Sequence, residues 1–298
     1  RNSKIYTGGI GLSPYDDISW SSDSKLLAFA INPSRQSRPQ VVLYSLAEQQ
    51  SAVITSEKYA AYSPAFSPDG LWLYFISNRQ FTATPGHPWG DRNLGPLFDK
   101  RGQVFAVSLK QQACFAFRPE QEADNCTDKA AKDSRAAKKG KLVDWEGLSA
   151  RLWQVPVASG NYSQLAVNDK RLYLLDRDSS AGAKPVLKQI ELSQTEAKAE
   201  VFATDISDFQ LAVNGKKLFM RKHSADGAGD MYVVEATAKA PAELKKARLN
   251  TASWQLSIEP EQEWQQMFAD AWRMHRDFLF DKGMRGLDWN ASKVKYQP

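Results

Sequence analysis

At 298 residues, with 42% hydrophobic and 24% charged side chains, the chain has room for one large domain or two ordinary ones and the composition of a core-forming globular protein. The 39 Lys and Arg against 34 Asp and Glu leave a net charge of +5 that is spread along the sequence, without the one-sided basic face a dedicated nucleic-acid binder needs. No run of 18 or more apolar residues occurs, so no membrane-spanning helix is predicted.

The sequence starts at Arg1 with neither an initiator methionine nor a charged-then-apolar leader, which leads us to expect that the natural N-terminus precedes it. From there a phrase recurs: an apolar residue, Ser, a turn on Asp or Gly, then an alternating apolar strand. The first copy is ISWSSDSKLLAFAI from Ile18, followed by VVLYSL from Val41. The second is AFSPDGLWLYFIS from Ala65, closed by VFAVSL from Val104. A third, degenerate copy is YSQLAVNDKRLYLLDR from Tyr162 with VLKQIEL from Val186, and the fourth is FQLAVNGKKLFMRK from Phe209 with DMYVVEA from Asp230. Asp23 and Asp69 are 46 residues apart, as are Asp169 and Gly215, which is the size of one four-stranded propeller blade. The pattern therefore predicts a mainly β fold, a β-propeller with about four blades visible. In SPDG at Ser67 to Gly70, Pro68 fixes φ, Asp69 bonds its own backbone and Gly70 accepts positive φ, so a hairpin must follow. Trp20, Phe66, Trp72, Tyr74 and Phe75 are expected to pack between blades.

Two segments interrupt the repeat. NRQFTATPGHPWGDRN, from Asn78 to Asn93, joins two strands of the second blade, and long loops on rigid scaffolds often bind ligands. Arg79, His87, Trp89 and Arg92 are its candidate substrate-binding residues. The second interruption, a polar segment over 111–141, reads as a surface insertion; it holds the run KAAKDSRAAKKGK and both cysteines, Cys114 and Cys126. A disulfide between these two would stabilise by roughly 3 kcal/mol in the chain-entropy model and would place the protein in the periplasm or outside the cell; two free thiols in a cytoplasmic protein are the alternative.

From Glu259 the pattern changes. Trp264, Met267, Phe268, Ala271, Trp272, His275, Phe278 and Leu279 form the stripe of an amphipathic helix, expected from Pro260 to Phe280. Asp288 can cap a second helix beginning DWNASKVKYQ. The expected organisation is therefore blades over 1–258 and the start of a helical domain over 259–298, with the chain stopping inside it. His87, His223 and His275 are the only histidines, and none has a partner at metal-ligand spacing, so neither metal nor cofactor is expected. His275, on the stripe, is expected to be a packed, hydrogen-bonded residue. No nucleophile elbow, phosphate-binding loop or dinucleotide fingerprint occurs, and no residue of this chain is assigned as catalytic.

EWQQMFADAWRMHRDFLFDKGMRGLDWNASKVKYQP at the C-terminal end resembles the opening of the helical domain in tricorn-type serine peptidases, including the bacterial tricorn-like proteins. LYFISNRQF from Leu73 and DWEGLSARLWQVPVASGNYSQL from Asp144 are similar to that family's second propeller. The resemblance implies a portion of a seven-bladed propeller that filters peptides for a catalytic centre outside this chain. It also implies as partners peptide substrates, the remaining blades, a PDZ domain and a catalytic domain of the parent chain, and a further copy in a homo-oligomer. The alternative is a non-enzymatic periplasmic propeller acting as a protein-binding platform, which explains the blades but not the helix. A prolyl-oligopeptidase-type enzyme would need a strand-rich hydrolase opening where the helix begins.

Overall fold

The computed structural model describes residues 15–33, 38–83, 98–111, 113–118, 142–193, 197–224 and 229–297. They fall into two compact units, Arg1–Leu249 and Asn250–Pro298.

The first unit is a row of antiparallel meanders. Strands β1 (Tyr15–Trp20), β2 (Leu26–Ile31), β3 (Gln40–Ser45) and β4 (Gln50–Val53) pair in sequence order as blade 1. Strands β5 (Ala61–Phe66) and β6 (Trp72–Asn78) open blade 2. The chain then makes a small two-stranded ladder, β7 (Thr82–Ala83) with β8 (Phe98–Asp99), before β9 (Gly102–Ser108) and β10 (Leu152–Gln154) complete the blade. Blade 3 holds β11 (Tyr162–Val167), β12 (Arg171–Asp176), β13 (Val186–Glu191) and β14 (Glu200–Thr204). Blade 4 has three strands, β15 (Ile206–Leu211), β16 (Lys217–Lys222) and β17 (Met231–Glu235); at its outer edge a single bridge joins Tyr232 to Arg248.

Alternation explains why the second strand of a blade is apolar throughout. Along β6, Trp72, Tyr74 and Ile76 face blade 3, where they pack with Leu172, Leu174 and Ile190. Leu73 and Phe75 face blade 1 and join Leu26, Ala28, Val41 and Leu43. A third cluster, with Tyr173 and Leu187 against Leu218, Met220 and Tyr232, joins blades 3 and 4. Each pair of neighbours thus has its own core. Phe66, Trp72, Tyr74 and Phe75 are buried as expected, but Trp20 is 50% exposed. Phe66, at the equivalent register of β5, packs on blade 1; among the described residues no blade precedes β1 to cover Trp20 in the same way.

The recurring Ser and Asp build the hairpin turns. Ser67 Oγ accepts from the Trp72 N–H (2.9 Å) and donates to Asp69, which accepts from the Leu71 N–H (2.9 Å). Ser21, Asp23, Lys25 and Leu26 repeat the arrangement in blade 1. In blade 3, Asn168 replaces both side chains, its Oδ1 accepting from the Lys170 and Arg171 N–H groups. Neighbouring turns also bond each other: Ser22 Oγ donates to the Pro68 carbonyl (3.0 Å) and Asn168 Nδ2 to the Gly215 carbonyl (3.0 Å).

The second unit contains α1 (Pro260–Phe278), a 3-10 turn over Met284–Gly286 and α2 (Trp289–Tyr296). Helix α1 ends two residues short of the expected Phe280 because Leu279 is extended, φ −61° and ψ 134°. Asp288 caps α2 by accepting from the Ala291 N–H at 2.9 Å. Trp272 and Trp289 are stacked, each indole N–H donating to the other's carbonyl at 2.9 and 3.1 Å. His275 is exposed, but its ring lies 5.8 Å from that of Trp289 and its Nδ1 2.9 Å from the Ala271 carbonyl. The stripe that suggested burial is uncovered within this unit: Trp264 and Met267 are 61% and 62% exposed.

Candidate functional site: the axial face of the blades

The first strands of the four blades, β1, β5, β11 and β15, each pair on one side only and pack against one another along a common axial face. Each carries a bulge. The register shifts between Asp16 and Ser19, Tyr62 and Ala65, Ser163 and Leu165, and Ile206 and Asp208. In the first three the extra residue has left-handed backbone, Asp17 (φ 52°), Ser63 (φ 51°) and Gln164 (φ 49°). These bulges aim polar side chains at the next blade. The Asp17 carboxylate accepts from both the N–H (2.8 Å) and the hydroxyl (3.2 Å) of Ser63, and Gln164 Nε2 donates to Asp208 Oδ1 (3.0 Å). Beside them the Tyr62 hydroxyl lies 3.0 Å from both Asn78 Oδ1 and the Tyr162 carbonyl, and burial raises its pKa to about 12.

Beyond the bulges, where the four strands run into their hairpin turns, lies a cavity of about 850 Å³. All four blades line it. Five serines, Gln210 and Asn214 supply its polar surface, and Trp20, Ile18 and Val213 supply exposed apolar surface. Asp169 is the one charged residue among those lining it.

The sequence-predicted loop leaves from the opposite end of blade 2. The Arg79 and Gln80 N–H groups both donate to the Arg101 carbonyl, at 3.1 and 3.2 Å, closing the ladder from which the loop departs. Arg79 lies 4.1 Å above the Phe105 ring and 5.3 Å from that of Tyr59, with Nε donating to Ser77 Oγ (3.3 Å). Burial lowers its pKa. Arg101 lies over Phe81 and Phe98 at 5.3 and 5.8 Å. Asn161 of the next blade ties the base down, donating to Asp99 Oδ1 (2.7 Å) and accepting from the Lys100 N–H (2.8 Å). Of the four candidate residues the structure places only Arg79; His87, Trp89 and Arg92 lie outside the described residues, as does most of the 111–141 insertion. Cys114 is half-buried and disulfide-bonded, and Cys126 lies outside the described residues. Among the described residues no group of three or more His, Cys, Asp or Glu could hold a metal ion, and no helix is long and apolar enough to cross a membrane.

The axial cavity was not legible as a site in the sequence. Its walls come from segments one blade apart, and Ser67, one of the serines that line it, also organises a hairpin turn.

Meander blades around an axial face, followed in sequence by a Trp-rich helical pair, define a β-propeller segment joined to the opening of a helical domain. The model of the tricorn protease second β-propeller domain matches residues 12–226, and that of the tricorn protease C1 domain matches residues 260–298. The chain belongs to the tricorn protease family. It is 24% identical over 295 residues to tricorn protease homolog 1 of Streptomyces coelicolor, covering 94% of this chain and 27% of that protein. The tricorn protease homolog of Saccharolobus solfataricus is 24% identical over 300 residues, covering 97% and 26%. The crystal structure of the tricorn protease superposes with a TM-score of 0.66 at 18% identity, over 94% of this chain and 26% of that one. The chain thus spans about a quarter of the length of these relatives.

Proposed function

We propose that this chain is the substrate-gating propeller portion of a tricorn-like serine peptidase that degrades short peptides, with the catalytic residues outside these 298 residues. The observation that carries the reading is the direct passage from blades into a segment matched by the C1 domain model. The remaining blades of a seven-bladed ring, a PDZ domain, a catalytic domain and further copies of the chain are its partners. Arg79, together with His87, Trp89 and Arg92 of the segment that follows it in sequence, is proposed to contact peptide. The disulfide-bonded Cys114 supports a periplasmic or extracellular setting. A non-enzymatic platform would leave the helical segment without a role.

The test is hydrolysis of short unstructured peptides by the longer protein that contains this chain. Hydrolysis is expected, with an Arg79→Ala variant raising KM and leaving kcat near its original value, as for a group that binds substrate away from the reacting atoms. Absence of peptide hydrolysis, or an unchanged KM across substitutions in the loop, would remove the reading.

A further inference from the structure

At one end of the axial face four successive blades present main-chain groups at the same register. In each blade the first residue of the hairpin turn bonds across to the second strand: Ser21 N–H to the Leu26 carbonyl, Ser67 to Trp72, Asn168 to Arg171 and Ala212 to Lys217, at 2.8–3.0 Å. Antiparallel ladders alternate hydrogen-bonded and non-hydrogen-bonded pairs. The preceding pairs, Trp20 with Leu27, Phe66 with Leu73, Val167 with Leu172 and Leu211 with Leu218, are therefore of the second kind. The N–H and C=O groups of Trp20, Phe66, Val167 and Leu211 point away from their own sheets, at one register in four successive blades. All four residues line the 850 Å³ cavity. At the bulge end the same free edge is already used, since the Ser63 N–H is bonded to Asp17; at the turn end no side chain of the described residues that line the cavity bonds to the main chain of these four.

We propose that this cavity binds an extended peptide through its backbone, by strand addition to the inner edges, and discriminates against acidic side chains. Resting on the gating reading, the inference adds what the gate recognises. Unpaired strand edges supply main-chain hydrogen bonds whatever the peptide sequence. The lining supplies the discrimination: serine hydroxyls and two amides suit neutral side chains, Trp20 and Val213 offer apolar contact, and the single charge is the Asp169 carboxylate. In a protein of net charge +5 an acidic peptide would be attracted overall and yet meet no cation among the described residues that line this site.

The test uses the full chain and fluorescein-labelled ten-residue peptides of Ser, Ala and Leu, read by anisotropy. Methylating alternate backbone nitrogens removes donors without adding charge and is expected to weaken binding about tenfold, the effect of one or two lost hydrogen bonds. Replacing the serines by glutamates is expected to weaken it by a similar factor. Val213 is 97% exposed, so substitution there spares the fold; Val213→Lys should recover the acidic peptide several-fold and Val213→Glu should weaken it further. Equal affinity for methylated and unmethylated peptides, an acidic peptide bound as tightly as the neutral one, or no binding at all would overturn the inference. If the preferences hold while Val213→Lys leaves peptide hydrolysis by the longer protein unchanged, the binding site stands and the gating reading alone fails.

Discussion

Ser67 shows how much one hydroxyl can organise. It is buried, caps the Trp72 N–H and holds Asp69 across the turn. Ser67→Ala leaves a buried donor unpaired and is expected to cost about 1–3 kcal/mol, whereas Ser22→Ala, at an exposed inter-blade bond, should change stability by about 0.5 kcal/mol or less. The midpoints of urea unfolding separate the two. Gly102 is constrained by backbone rather than by side chains: a Cβ there would meet the Gly160 carbonyl oxygen at 2.9 Å and the Tyr162 nitrogen at 3.3 Å. Neither can swing aside, so Gly102→Ala is expected to cost about 1–3 kcal/mol. Titration gives a third expectation. Burial raises Tyr62, Tyr162 and Tyr173 to about 12, and Tyr74 further, from an unfolded value near 10. The folded state then holds protons that the unfolded state releases. The stability these groups contribute is fully present below pH 10 and is lost as pH rises through about 12. Urea midpoints measured from about pH 9 to 12 should fall continuously above 10; a flat profile would contradict the burial of these hydroxyls.

The elements differ in how openly the sequence announces them, and burial explains the difference. Strands β2, β6 and β12 are buried on both faces, so LLAFAI, WLYFISN and RLYLLD stand out as apolar runs. The outer strands β4 and β10, QSAV and LWQ, are short and largely exposed, and carry no comparable pattern. The bulges were invisible for another reason. Asp17, Ser63 and Gln164 share a backbone conformation but no side-chain chemistry, so no residue type marks the place. Helix α1 was legible from Pro260 and its stripe, and α2 from Asp288 at its start. Replacing that cap by alanine is expected to cost α2 about 0.5–2 kcal/mol, seen as lost amide protection over Trp289–Tyr296 while α1 keeps its own.

Across the whole molecule, cohesion is local. Blades 1 and 2, 2 and 3, and 3 and 4 are each joined by a separate apolar cluster, so stability is a sum of neighbour terms rather than the property of one core. Phe75 is fully buried in the first of these interfaces, 6.0 Å from the Phe105 ring. Phe75→Ala is expected to cost about 3–5 kcal/mol. Hydrogen exchange should quicken first in β1–β3 and β5–β9 and leave β15–β17 protected; uniform loss through all four blades would show that they unfold as one body. The bonds between turns carry a consequence for how such a molecule can arise. Ser22 bonds to Pro68, and Asn168 to Gly215, which are near-copies of one turn one blade apart. A unit that adheres to its own duplicate needs no newly invented surface when the gene is lengthened by tandem copying. Ancestry could therefore add blades one at a time, each held by contacts its predecessor already possessed.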